Sequence, residues 1–284
     1  MGQIMRRDHT GDVSSDGNIR DNSSFGYDLL GNIAIIDTRR RTDIRGRADR
    51  ISVARGIMAR NRNIETVVEK AGPVSGRYRT REFKHLLGKR SFIATYRENG
   101  AVFTFDIRRV FFSSRLSYER GRLASLIKDG ESVAVPFAGV GPFPIVIAKR
   151  LKRSSILAIE LNRYAYRYML ENIRANRVDN VEAVCGDFKR LSSRYKGFAD
   201  RVIMQMPTAS LDFIEDMLKV SKDRARASIY VFCDADSGID EAKARIRAHL
   251  KSRGYNMRCL FYRVVRTYSK TEIEAVIDIS YWRA

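Results

Sequence analysis

Four short stretches carry residues whose types and spacing can hold a nucleotide-like ligand. The first is Val133-Ala-Val-Pro-Phe137-Ala-Gly139-Val-Gly141-Pro-Phe143, an apolar run that breaks into small residues before an apolar helical pattern resumes at 145–150. Neither Gly139 nor Gly141 carries a Cβ, so a turn here lets a ligand lie against the backbone. The second is Glu160-Leu161-Asn162, at the end of the apolar run 156–159. Glu160 follows Gly139 by about 20 residues, the offset at which a carboxylate at a strand tip accepts hydrogen bonds from a ribose diol. The third is Gly186-Asp187-Phe188, where Asp187 reads equally as a helix cap or as an acid for the edge of a ring. The fourth, Gln205-Met206-Pro207, places a polar residue ahead of a proline.

These stretches require elements that bring them to one place. From residue 106 the pattern predicts strands over 133–136, 156–159, 181–184, 201–204 and 227–232. Helices alternate with them over 143–151, 163–175, 209–220 and 238–252, and two strands near 257–265 and 272–281 close the chain. Such alternation gives a mostly parallel sheet with helices on both faces and an antiparallel edge. Ligands of such sheets sit at the carboxyl ends of the strands, where all four stretches fall. Upstream, 107–112 reads as a connecting strand, and Ser113-Ser114 as the cap of a helix over 116–127 that sets Arg115, Glu119 and Arg122 on related faces. Residues 25–105 read as a small α+β module. It has a strand, turn and strand over 27–36, a helix within 44–59 and short segments over 64–68, 77–81, 91–96 and 101–105. Asn99-Gly100 is a hairpin turn signal. Residues 1–24 are polar and aperiodic and read as a flexible tail.

The 284 residues hold 53 lysines and arginines against 33 acids, a formal charge of +20. That excess favours a polyanionic partner, nucleic acid foremost. Between Arg39 and Arg62 stand nine arginines and no lysine, among them Arg39, Arg40, Arg41 and Arg45. Guanidinium's planar fork suits phosphate oxygens, so this stretch, with Arg77, Arg79 and Arg81, is expected to face an RNA backbone. No apolar run approaches the ~18 residues of a membrane span and no signal peptide is evident, which leads to a cytoplasmic expectation. Cys185, Cys233 and Cys259 are scattered, as are the three histidines, so neither disulfides nor a metal site is expected; the cysteines read as small buried hydrophobes.

A glycine turn, a ribose acid, an acid for the adenine edge and a polar residue before proline, in that order, are similar to the arrangement of S-adenosylmethionine-dependent methyltransferase domains. A dinucleotide oxidoreductase is disfavoured because the turn lacks G-x-G-x-x-G. The chain further resembles the archaeal and eukaryotic type tRNA methyltransferases that modify N1 of the guanosine at nucleotide 37. The resemblance rests on 137–143, on Phe112-Ser-Ser-Arg115-Leu-Ser-Tyr-Glu119-Arg120, and on Arg201-Val-Ile-Met-Gln205-Met-Pro207. Gly76-Arg-Tyr-Arg79-Thr-Arg81, Glu98-Asn-Gly100 and Arg263-Val-Val-Arg-Thr-Tyr268 add to it. It covers roughly residues 25–284, and the further N-terminal domain that some members carry is not expected here, residues 1–24 being too short to form it.

This resemblance implies a Rossmann-like class I methyltransferase domain over 106–284, preceded by a small α+β RNA-contacting domain. Glu119 is then the general base, Arg79 and Gln205 act beside it, and Arg120, Phe137, Gly139, Gly141, Glu160, Leu161, Asp187, Phe188 and Gln205 hold S-adenosylmethionine. Arg39, Arg40, Arg41, Arg45, Arg79, Arg81 and Arg115 meet the tRNA anticodon loop, and the protein is expected to be a monomer. Two positions depart from the family: Val135-Pro136 replaces an acid at the end of the first strand, and Gln205 replaces an asparagine. Wyosine-pathway relatives, which transfer a methyl or aminocarboxypropyl group at the same nucleotide, share the architecture. An RNA-binding relative without catalysis is the alternative from a different class.

Overall fold

A computed structural model describes residues 26–39, 44 and 46–284. The tail expected over 1–24, and Arg40, Arg41 and Arg45, lie outside the described residues. The small module opens with β1 (Tyr27–Leu30) and β2 (Ile33–Ile36), which are antiparallel. Helix α1 (Arg47–Arg60) crosses to β3 (Thr66–Lys70), which runs parallel to β2. A parallel neighbour demands such a crossover. The helix buries Val53, Ala54 and Ile57 against Ala34, Ile36 and Val67, while Arg47, Arg55 and Arg60 stay exposed, the split that the spacing predicts.

Residues 77–81, expected as an extended segment, form a turn instead. Ser75 and Thr80 pair across it, and Arg79 takes a left-handed φ of 52°. The strand lies further on, as β4 (Phe83–Gly88), antiparallel to β3. No residue of β4 is fully buried, so its sequence carries no clean alternation to reveal it. β5 (Ile93–Glu98) and β6 (Ala101–Asp106) form the hairpin that Asn99-Gly100 predicts, with φ of 45° and 71° at the two turn residues.

Residues 107–112 are turns rather than the expected strand. The Asp106 carboxylate captures the Arg108 backbone N–H at 2.9 Å and its guanidinium at 2.7 Å, an aspartate turn that bends the chain away from the sheet. A 3-10 turn, Ser114–Leu116, leads into α2 (Ser117–Leu126).

The large unit then runs β7 (Ser132–Pro136), α3 (Pro142–Arg150), β8 (Ser155–Glu160), α4 (Arg163–Asn176), β9 (Val181–Cys185), α5 (Phe188–Leu191) and β10 (Ala199–Met204). It continues α6 (Ile214–Val220), β11 (Ser221–Asp234), α7 (Gly238–Lys251), β12 (Tyr255–Thr267) and β13 (Glu272–Arg283). The sheet order is β12-β13-β11-β10-β7-β8-β9, with β13 antiparallel and wedged between β11 and β12. From β7 the chain builds outward to β9, then returns to the other side of β7 with β10, so the order switches between β7 and β10. That switch is where a ligand crevice opens.

The β5–β6 hairpin, grouped by sequence with the small module, packs into the larger unit. Ala94, Phe103 and Phe105 share a buried core with Leu123 and Val146. Helix α4 meets the hairpin through two asparagines. Asn172 Oδ1 accepts from Thr104 N and Asn176 Oδ1 from Val102 N, both at 2.8 Å, and Asn176 Nδ2 donates to Val102 O at 2.6 Å. The cysteines are not buried as expected: Cys185 is exposed, and Cys233 and Cys259 are half-buried at strand ends and on the edge strand β12. Among the described residues, no helix is long and apolar enough to cross a membrane.

Candidate active site

The turn after β7 is held in an unusual backbone path. Phe137, Gly139 and Gly141 have φ of 62°, 59° and 89°. Phe137 is no glycine, and its left-handed conformation is held from both ends. Its ring packs edge-on to Phe213, with centroids 4.8 Å apart, and its carbonyl accepts Gln205 Nε2 at 2.9 Å.

The two glycines serve different ends. A Cβ on Gly139 would meet nothing closer than Phe111 O at 4.0 Å, so that face is open to the cavity. On Gly141 it would lie 2.9 Å from Ile145 Cδ1 and 3.0 Å from Met169 Cγ. Gly141 therefore does not face the cavity as expected. It lets α3 start tightly against α4.

Glu160 ties the first two turns together: Oε2 accepts Gly139 N at 2.6 Å and Oε1 accepts Asn162 N at 2.7 Å. Burial pushes its carboxyl above the usual glutamate range against the pull of these donors. Asp187 proves to be both cap and wall. It accepts Lys189 N at 3.0 Å to start α5, and its other oxygen holds Arg77 of the small module at 2.8 Å. Gly139, Glu160, Leu161, Asp187, Phe188 and Gln205 line one cavity of about 290 Å³.

The opposite wall is built from charges that find partners far away in sequence. Arg120 lines the cavity at 2% exposure, ion-paired with the equally buried Glu98 and donating to Ser113 O at 3.0 Å. Its guanidinium is thus engaged in clamping the hairpin to α2. Asn99 adds to that clamp by donating to Ser117 O at 2.9 Å, in a space that Gly121 leaves clear.

Glu119 is not brought into the cavity with Arg79 and Gln205. It lies behind the wall at 1% exposure, its Oε2 accepting Tyr230 Oη at 3.0 Å and Arg122 Nε at 2.9 Å. Arg263 Nε stands 3.4 Å from its Oε1, and Arg122 reaches on to Asp278 at 2.6 Å. Burial raises the Tyr230 phenol well above its ordinary range, so it stays a donor. Sequence reasoning assigned no role to Arg266 and Glu274, which line the cavity as an ion pair on β12 and β13. Glu274 is 1% exposed, and Arg266 stacks on Tyr268 with 4.4 Å to the ring centroid. The stretch 263–268 was the available signal.

A second cavity of about 600 Å³ adjoins the first and shares Arg79, Phe111, Phe112, Ser113 and Arg266 with it. Arg39, Arg81 and Arg115 line it with Arg79, so four expected RNA-facing arginines meet here. Arg79 lies at the junction, donating to Thr208 Oγ1 at 3.1 Å with its guanidinium 5.2 Å from the centre of the Phe111 ring.

Residues 94–258 match the TRM5/TYW2 methyltransferase domain, and residues 16–91 match the TYW2 N-terminal domain. The chain belongs to the TRM5/TYW2 methyltransferase family. Over 252 residues it is 34% identical to the tRNA (guanine(37)-N(1))-methyltransferase Trm5b of Pyrococcus abyssi, covering 89% of this chain and 73% of that protein. It is 30% identical over 232 residues to the tRNA 4-demethylwyosine(37)-methyltransferase Taw21 of Saccharolobus solfataricus, covering 81% and 85%. The crystal structure of Trm5b from Pyrococcus abyssi superposes with a TM-score of 0.81 at 31% identity, over 95% of this chain and 82% of that one. The complex structure of aTrm5 and tRNALeu gives 0.77 at 26% identity, over 90% and 72%.

As a TRM5/TYW2 domain, the first cavity fits S-adenosylmethionine. The open face of Gly139 admits a close approach, each Glu160 oxygen keeps a lone pair for a hydroxyl donor, and Leu161, Phe188 and Pro142 supply apolar walls.

Proposed function

We propose that this protein transfers a methyl group from S-adenosylmethionine to N1 of guanosine 37 in the tRNA anticodon loop. The observation that carries the reading is the meeting of two units at one cavity: Arg79 of the small module stands with Gln205, Gly139 and Glu160 at the switch point of the large sheet. The Trm5b relative supports the choice of substrate. We place the division between the two units near residue 92, where the two family matches meet and the hairpin begins to pack on α4.

When bound, S-adenosylmethionine supplies an electrophilic methyl group. Glu160 is placed to accept from its ribose, while the turn at 137–139 and the side chains of Leu161 and Phe188 flank it. Guanine N1 carries a proton that must leave as its electrons attack, and a carboxylate takes it. We assign that role to Glu119 from its place in the family motif. Tyr230 and Arg122 occupy its Oε2, and Oε1 accepts no hydrogen bond from the described residues but has Arg263 Nε 3.4 Å away, so for Oε1 to take the proton from its place behind the wall Arg263 has to turn aside. Arg79 is placed to stabilise negative charge developing on O6.

The test is transfer of labelled methyl to tRNA with guanosine at nucleotide 37, followed by nucleoside mass spectrometry. 1-Methylguanosine is expected, and no product on the adenosine variant. Glu119→Gln is expected to slow single-turnover methyl transfer by about a hundredfold with RNA affinity unchanged. Unchanged turnover would remove Glu119 as the base.

One observation favours a second reading, methylation of 4-demethylwyosine at the same nucleotide: the small module matches a TYW2 N-terminal domain, and Taw21 is covered over most of its length. The same mass spectrometry on tRNA carrying that base decides between one substrate and two.

A further inference from the structure

Eight arginines and lysines line the two joined cavities, and pairing them with acids leaves a remainder. Arg77 is held by Asp187, Arg120 by Glu98 and Arg266 by Glu274. Arg39 is held by Asp37, and Lys70 and Arg115 share Asp28. Arg79 and Arg81 have no carboxylate partner among the described residues. Among the described residues, each also has a buried Nε with no hydrogen-bond acceptor.

An orphaned guanidinium N–H removed from water costs free energy unless an acceptor reaches it. Here two stand on one short stretch, two residues apart. The Gly76–Arg79 turn fixes them, with Arg79 held in its left-handed conformation. Arg79 is anchored at its far end by Thr208 and by Phe111, and Arg81 lines the second cavity beside it. Every other cation around them already has a carboxylate within reach, Lys70 and Arg115 sharing one, so Arg79 and Arg81 are the two left to meet one compact anion at the junction of the cavities.

We infer that Arg81, together with Nε of Arg79, seats a single phosphate of the RNA chain next to the target nucleotide. This rests on the proposed function and adds to it the anchor that fixes the backbone while the base enters the first cavity. Guanidinium suits this seat because its planar fork meets two phosphate oxygens at once.

The experiment uses the full chain and an anticodon stem-loop RNA with one uncharged methylphosphonate, placed 5′ or 3′ of the target guanosine. Affinity is read by fluorescence anisotropy, and methyl transfer is followed separately on the same RNAs. For the native protein, affinity is expected to fall about tenfold with the methylphosphonate at one of the two positions and little at the other. Arg81→Gln is expected to lose about the same on unmodified RNA, with no further loss from that methylphosphonate. Its salt dependence should flatten by about 0.7 in log–log slope, one phosphate's share on a single strand. Arg81→Lys should retain part of the affinity, since it keeps the charge and loses the fork.

Native-like affinity in Arg81→Gln would overturn the inference, as would losses that add in full at both positions. So would a native protein indifferent to both methylphosphonates, a result that needs no variant to fold. Intact binding without methyl transfer sinks the proposed chemistry alone. Methyl transfer with additive Arg81 losses sinks the phosphate seat alone.

Discussion

The two walls of the first cavity are built by different means. On the side of β7 and β8, backbone turns do the holding. Glu160 spans two turns through their N–H groups, Asp187 caps the helix that follows it, and Gln205 pins the Phe137 carbonyl. On the side of α2, β12 and β13, charge pairs do it: Arg120 with Glu98, Arg122 with Glu119 and Asp278, Arg266 with Glu274. A wall of turns tolerates exchange of its apolar side chains, because its geometry is main-chain. A wall of buried ion pairs stands or falls with each partner, because removing one leaves the other charged and dry.

The sharpest break of this contrast is Arg120→Met, which leaves Glu98 buried without its partner. It is expected to lower unfolding free energy by about 4 kcal/mol in urea denaturation. A loss below ~1 kcal/mol would mean that the hairpin is not clamped by this pair. Next in size is Gly141→Ala, which forces a Cβ against Ile145 and Met169 at a left-handed φ and should cost about 3 kcal/mol. Gly139→Ala, with open space before it, should cost only about 1 kcal/mol of backbone strain while weakening cofactor binding about tenfold by calorimetry. If the two alanines behave alike, the division of labour between the glycines is wrong.

The smallest effect is expected at Arg115→Ala. Its pair with Asp28 is largely exposed, and Lys70 still holds that acid, so less than ~1 kcal/mol should be lost. Burial pushes the Asp28 carboxyl up, but Lys70 and Arg115 outweigh it and hold the group below its ordinary 3.8. Its contribution is therefore present above that pH and is lost as the pH falls through the lowered value, so the Arg115→Ala difference should fade in acid melts.

The same contrast explains how much was legible in the sequence. The alternation of strands and helices from residue 132 onward, and the four turns at strand ends, announce themselves locally through glycines, prolines, caps and apolar periods. The ion pairs do not. Nothing near Arg120 names Glu98, 22 residues earlier, as its partner, and nothing near Arg122 names Asp278, 156 residues away. Glu119 reads from the sequence as the family's general base on a helix face shared with Arg115 and Arg122, yet it sits at the centre of a buried network that also takes in Tyr230 and Asp278. The missed strand β4 and the unexpected turns at 107–112 have local causes. β4 is nowhere fully buried, and the Asp106 side chain competes with the sheet for the backbone.

The two asparagines of α4 have a consequence beyond joining the hairpin to the large unit. By occupying the main-chain groups of Val102 and of Thr104, they do from a helix what a neighbouring strand would do. The rim of a two-stranded hairpin is ordinarily an invitation for another chain to add on. Here amide side chains have sealed it, so a crowded cell finds no foothold there, and the slow hydrogen exchange expected at those two positions would report that the seal holds as firmly as the helix that provides it.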